Sequence, residues 1–213
     1  MSSILRVQWT IVPSTPPQPW LACSRCRDVR PFRCSEKFRL NANGKRLDAW
    51  LIYRCGSCEN TWNRPVLERR NRHDIDPLFL QALETNDPHW VRRYAFDIAG
   101  LRGKTERVEE FRDTDIRKRL LSAGPKPFSK LEILLAVSVP INLRTDRLLA
   151  GELGLPRRRI EDLTAKGSLA VAGARALRKS VRDGLRIVFD LGDELDGEAI
   201  AQAAGAELDL DEC

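Results

Sequence analysis

Residues 145–167, TDRLLAGELGLPRRRIEDLTAKG, read as two short helices joined at a glycine. Leu148, Leu149 and Leu153 recur at steps that place them on one helical face. Gly154 ends that helix, and Pro156 suits the first turn of the next, where its missing N–H would be unpaired anyway. Ile160 and Leu163 form the second buried stripe, and Gly167 fits the left-handed residue that closes a helix. Arg157, Arg158 and Arg159 crowd the first turn, with Lys166 at the far end. Free backbone N–H groups and guanidinium forks together suit phosphate oxygens. Past Gly167 the period falls to two. Leu169 and Val171 alternate, Gly173 permits a turn, and Arg178, Lys179 and Arg182 lead through Asp183-Gly184 into the strand-like Arg186-Ile187-Val188-Phe189.

This arrangement resembles the RNA-binding domain named after the fourth protein of the small ribosomal subunit, found also in pseudouridine synthases and tyrosyl-tRNA synthetases. Arg144, Asp146, Leu149, Arg157, Gly167, Val171 and Gly173 match the family's motif without a gap. Ser180 to Gly184 and Ile187 look like its closing strand. Thr145 stands where the family has Leu, Pro156 for Ser, Ala172 for Asn and Leu185 for Asp, and the hairpin is shorter. The resemblance implies contact with structured RNA, ribosomal or transfer. Arg144, Arg147, Arg157, Arg158, Arg159, Lys166, Arg178 and Lys179 are the expected phosphate-binding set.

Charge favours a polyanionic partner. The chain carries a net charge of +6, yet from Asp190 to Cys213 there are nine acids and no Lys or Arg. The first 189 residues therefore hold 36 basic against 21 acidic side chains. So basic a body attracts nucleic acid. The acidic end is expected to be a solvated tail, or else a shield over the basic face. No apolar run approaches the ~20 residues needed to span a bilayer, and no signal-peptide core is present, so a cytoplasmic protein is expected.

The N-terminal third carries a metal signature. Cys23-Ser-Arg-Cys26 and Cys55-Gly-Ser-Cys58 are two CxxC pairs. Between them Phe38, Leu40 and Ala42, then Leu47, Ala49, Leu51 and Tyr53, alternate around Asn43-Gly44, a strong hairpin turn signal. Two CxxC turns complete a tetrahedron of thiolates at zinc–sulfur distances of ~2.3 Å. Four cysteines leave no open coordination position, so the metal is structural; iron would use the same ligands. The layout is that of a zinc ribbon. Cys34 reads as buried or incidental, or less simply as a substitute ligand, and Cys213 lacks a partner. From Cys23 to Arg72 there are thirteen Lys or Arg against five acids. Phe32, Trp50 and Trp62 either stack on unpaired bases or form the small core, and Trp50 and Trp62 suit the core. Cys58 to Pro65, with the opening Cys pairs, is similar to an uncharacterised bacterial family, a domain of unknown function. That likeness implies an N-terminal ribbon and no activity.

Residues 4–12, ILRVQWTIV, alternate as a half-buried strand. Asp76-Pro77 and Asp87-Pro88 each open a helix with an Asp cap and a first-turn proline. Thr114 to Ala123 is expected to be helical. Ser129 with Glu132 forms a capping box for a helix ending at Pro140. His73 and His89 sit in no nucleophile-base arrangement, and no phosphate loop, HExxH or nucleophile elbow is present. The expected architecture is α+β: a four-cysteine ribbon domain over 1–72, a helical connection over 73–141, an RNA-binding-like module over 142–191 and an acidic tail over 192–213. The expected function is non-catalytic RNA binding. A protein adaptor acting through the ribbon and a transcription-linked DNA binder are the competing readings.

Overall fold

The computed structural model describes residues 3–105, 107–172, 176–192 and 194–205. The chain forms two units, one of Met1–Ser14 with Arg112–Cys213 and the other of Thr15–Phe111. It is a mixed α+β protein.

The first strand, β1 (Ile4–Pro13), buries Leu5, Val7, Trp9 and Ile11, as its alternation requires. It belongs to the discontinuous unit, not to a ribbon domain running from 1 to 72. The chain then builds the other unit. There β2 (Gln18–Cys23), β3 (Asp28–Asn43), β4 (Arg46–Cys55) and β5 (Thr61–Asn71) are followed by three helices, α1 (Pro77–Thr85), α2 (Pro88–Ala95) and α3 (Ile98–Arg102), and by β6 (Arg107–Glu109). The strands form one antiparallel sheet in the order β5-β4-β3-β2-β6. The Asn43-Gly44 hairpin forms as expected, with Asn43 opposite Arg46 and Gly44 at φ 62°.

Asp76 and Asp87 cap α1 and α2, accepting from the N–H groups of Phe79 and of His89 and Trp90, while Pro77 and Pro88 occupy the first turns. Phe38 meets Tyr94 edge-on at 6.0 Å, which sets α2 against the face that also holds Leu47, Ala49, Leu51 and Tyr53. Trp62 lies on that face beside Tyr53, 5.3 Å between rings. Trp50 alternates to the opposite face and is only half-buried. It is not the core residue expected, because β4 offers one side to the helices and Trp50 is out of phase with it. Arg64 is buried on the core side and pairs with Asp97 at 2.6 Å.

The chain re-enters the first unit through β7 (Thr114–Ala123) and β8 (Lys130–Val137), where helices were expected. In β8, Leu131, Ile133 and Leu135 are buried while Glu132 and Leu134 are not, a period of two. The apparent capping box is used otherwise. Ser129 Oγ donates to Ser3 O, and Glu132 pairs with Arg6 at 3.0 Å and Arg186 at 2.7 Å. There follow α4 (Thr145–Glu152), α5 (Arg157–Lys166), β9 (Leu169–Val171), β10 (Arg186–Asp190) and α6 (Gly197–Ala204). The sheet order is β7-β1-β8-β10-β9, parallel only between β1 and β8.

The core of this unit joins Leu5, Val7, Trp9 and Ile11 to Leu148 and Leu149 of α4, Ile160 and Leu163 of α5, and Ile200, Ala201 and Ala204 of α6. Each large apolar side chain so buried is worth roughly 1.5–3 kcal/mol. Residues 194–205 are therefore part of the fold rather than a solvated tail. Trp9 Nε1 donates to Ala204 O at 2.9 Å, and Lys118 Nζ donates to Ala203 O at 2.9 Å. The remaining end, 206–213 with Cys213, lies outside the described residues, as do Gly173 and Arg175. No described helix is long and apolar enough to cross a membrane.

Candidate metal centre and basic surface

Both CxxC segments fold into the same turn. Cys23 ends β2 and Cys55 ends β4, so each strand delivers a thiol to the start of a loop. Arg27 N–H closes on Cys23 O at 2.8 Å and Glu59 N–H on Cys55 O at 3.1 Å. Arg27 and Glu59 both take the left-handed conformation, at φ 58° and 60°. The two loops thus aim Cys23, Cys26, Cys55 and Cys58 inward, and all four sulfurs lie within 4.8 Å of one another. Cys23 and Cys58 are 3.5 Å apart, and Cys26 and Cys55 are 3.9 Å apart. Four ligands at ~2.3 Å around one ion stand a little under 4 Å from each other, so the cluster has the right size for a tetrahedral metal.

The electrostatics of the cluster also fit a cation. Cys23 is pulled down to about 6, first by the Cys26 backbone N–H that donates to its sulfur. Cys26 is pushed up to about 12, first by its hydrogen bond with Cys58 and then by burial. Cys58 is raised even though the Asn60 backbone N–H pulls it down, because burial and its contacts with Cys23 and Cys55 outweigh that bond. A set in which one thiolate suppresses ionisation of its neighbours is what a divalent cation would relieve. Asn60, which no sequence pattern singled out, lies with Nδ2 3.8 Å from Cys23 Sγ and 3.2 Å from Ser24 Oγ. Cys34 stands apart from the cluster, and burial pushes its thiol up to about 11.

The expected phosphate-binding residues do not form one patch. Arg159 is half-buried and held by Asp196 at 2.7 Å and Glu194 at 2.6 Å. Arg144 pairs with the buried Asp146 at 2.5 Å, and Arg178 reaches Glu161 at 3.7 Å. Arg147, Arg157, Arg158, Lys166 and Lys179 are exposed, and no described carboxylate lies within ion-pair distance of them. Arg144 bridges to Ser180 and Thr145 N–H donates to Lys179 O at 3.0 Å, so Arg144 and Lys179 are neighbours at the start of α4. Arg157 and Lys166 stand at opposite ends of α5, roughly 13 Å apart along its axis.

The fold and site define a two-unit α+β protein with a four-cysteine cluster fit for a metal ion. Residues 40–175 match the family described as Protein of unknown function (DUF1062), and the chain belongs to that family. The match takes in Cys55 and Cys58 but begins after Cys23 and Cys26. No curated protein and no solved structure matches the chain.

Proposed function

We propose that this is a non-catalytic RNA-binding protein with a zinc ribbon, in which zinc on Cys23, Cys26, Cys55 and Cys58 is structural. Arg147, Arg157, Arg158 and Lys166 contact the phosphates of structured RNA, ribosomal or transfer. The observation that carries the reading is the state of the first turn of α5. Arg157 and Arg158 are exposed without a carboxylate partner, and no side chain caps the N–H groups beside them. Two guanidiniums next to free backbone donors make a surface that a phosphate oxygen satisfies. The succession of α4, α5, β9 and β10 further supports the resemblance to the ribosomal-type RNA-binding module. Arg159 is withdrawn from the contact set, since its donors already serve Asp196 and Glu194.

Zinc would act by closing two loops around one ion, with no position left for water or substrate. The test is binding of the zinc-loaded protein to an RNA hairpin and to duplex DNA of the same sequence across a salt series. The double variant Arg157→Glu with Arg158→Glu should lose affinity for the hairpin, and its log-log salt slope should become shallower by about one for each phosphate contact removed. Unchanged hairpin binding would overturn the reading. Preference for duplex DNA would replace it with DNA recognition, and salt-resistant capture of a protein with no RNA affinity would replace it with an adaptor role.

A further inference from the structure

A second concentration of unpaired positive charge lies at the turn end of the β3–β4–β5 sheet, far along β4 from the cysteine cluster. Residues 37–48 and 67–72 carry Lys37, Arg39, Lys45, Arg46, Arg69, Arg70 and Arg72 against two acids, Asp48 and Glu68. All seven cations are exposed. Among the described residues only Arg72 has a carboxylate within ion-pair distance, Glu84 at a loose 3.9 Å.

Two structural details aim this charge. Asp48, the acid nearest the turn, accepts from the Arg69 backbone N–H at 2.7 Å, so its carboxylate is spent on the main chain and pairs with no guanidinium. That bond sits at a register break between β4 and β5, where Arg69 is held at φ 47°. A bulge with a non-glycine residue in the left-handed region costs free energy and re-aims the side chains around it. Register then puts cations on both faces of the sheet end. Arg46 pairs across to Asn43 and Asn71 on the Arg39 face, whereas Arg70 pairs across to buried Leu47, on the face the helices pack against, and is exposed at its margin.

We infer that the Asn43–Arg46 end of the β3–β4–β5 sheet is a nucleic-acid-binding finger that enters a groove between two phosphodiester strands. Exposed cations on both sides of the turn end match a groove with phosphates on both walls better than they match a single flat backbone. The β3–β4 hairpin leads with its Asn43–Arg46 turn, two strands wide at the turn itself and so narrow enough for a groove about 12 Å wide, with β5 alongside as far as Asn71. Asn41 and Asn43 supply amide donors and acceptors on the entering edge. The cysteine loops sit at the Cys55 end of β4 and hold the base of the finger, while residues 41–46 at its tip are exposed. This surface belongs to the other unit from α5 and stands whether or not α5 binds RNA.

The experiment uses the full-length, metal-loaded protein and four labelled probes: an RNA stem, a duplex DNA, and the corresponding single strands. The finger variant Arg46→Glu with Arg70→Glu, and the milder Arg46→Gln with Arg70→Gln, are compared with Arg157→Glu/Arg158→Glu. Unchanged metal content and thermal melting establish that a variant is folded, and the glutamine pair serves if charge reversal disturbs the fold. The finger variants should lose at least about tenfold in affinity for a paired probe, with a salt slope shallower by about two. The groove is that of duplex DNA, since the A-form major groove is too narrow to admit the hairpin, and tighter binding of the RNA stem than of duplex DNA through the finger would overturn that assignment. Equal binding by wild type and finger variants, binding of single strands as tight as of paired probes, or no binding to any probe at low salt would each overturn the inference. Loss in the finger variants with none in the α5 variant would sustain it while removing the α5 reading; the reverse result would do the opposite.

Discussion

Arg159 of α5 and Asp196 at the start of α6 form a two-pronged ion pair, Nη2 to Oδ1 at 2.7 Å and Nε to Oδ2 at 3.1 Å, which ties the basic helix to the acidic C-terminal segment. Glu194 adds a third bond at 2.6 Å from Arg159 and is itself held by Ser168 Oγ at 2.8 Å. Three arginines in a row therefore divide their work: Arg159 faces inward and Arg157 and Arg158 face solvent. Arg159→Ala should lower the melting temperature clearly, because Glu194 and Asp196 keep their charges without the cation. Arg157→Ala should stay within about 2 °C of wild type. Calorimetry of the two variants distinguishes them, and equal melting would show the pair to be idle.

The same contacts set an acid limit. Glu194 is held below the ordinary carboxylate range, first by the Ser168 hydroxyl and then by Arg159, and Asp196 is lowered, first by Arg159. A carboxyl with a depressed folded value binds its proton more readily when unfolded, so stability is present above pH ~4 and is lost as pH falls through the lowered values. Melting temperature should drop as pH is taken from about 5 towards 2, and the drop should be smaller in Arg159→Ala. Identical pH profiles would separate these carboxylates from acid unfolding.

Metal content is the direct test of the cysteine cluster. The purified protein should hold one ion per chain at Cys23, Cys26, Cys55 and Cys58, and Cys26→Ser or Cys58→Ser should lose it. A chelator should loosen the 15–111 unit, with proteolysis appearing first between Cys23 and Asn60, because the thiol cluster is left without the cation that reconciles its charges. Less than one ion per chain with unchanged protease resistance would remove the centre.

Gly100 is required by the ion pair between buried Arg64 and Asp97 beside it. A Cβ at that position would collide with Asp97 Oδ2 and Arg64 Nη2; Asp97 is 44% exposed and can swing outward, but Arg64 is only 4% exposed and cannot, so relieving the clash pulls the pair apart. Gly100→Ala should destabilise the 15–111 unit by about 1–3 kcal/mol, readable by denaturant titration. Gly151→Ala is the control, since nothing lies within 4 Å of its added methyl.

Short-range chemistry was legible in the residues. The CxxC turns, the Asn43-Gly44 hairpin, the Asp-Pro starts of α1 and α2 and both helices around Gly154 depend on contacts within a few positions, and the structure has each of them. The sulfur cluster was legible for the same reason, because a CxxC turn forms locally and only the meeting of two such turns is long-range.

Tertiary structure alone decided the rest. Ser129 to Val137 fits a helical stripe and a strand pattern alike; it became β8 because β1, 126 positions earlier, and β10 offered it backbone partners on both sides. The same pairing drew β1 out of the ribbon and made its unit discontinuous. The acidic end looked like a solvated run because charge dominates its composition, yet Ile200, Ala201 and Ala204 needed only a sheet face to bury against. The fate of each arginine was equally hidden: a carboxylate 37 residues away fixes Arg159, and Asp48 leaves Arg46 and Arg70 free by bonding a backbone N–H instead. Local patterns show which side chains are able to pair, but which of them do depends on partners that only the folded chain brings within reach.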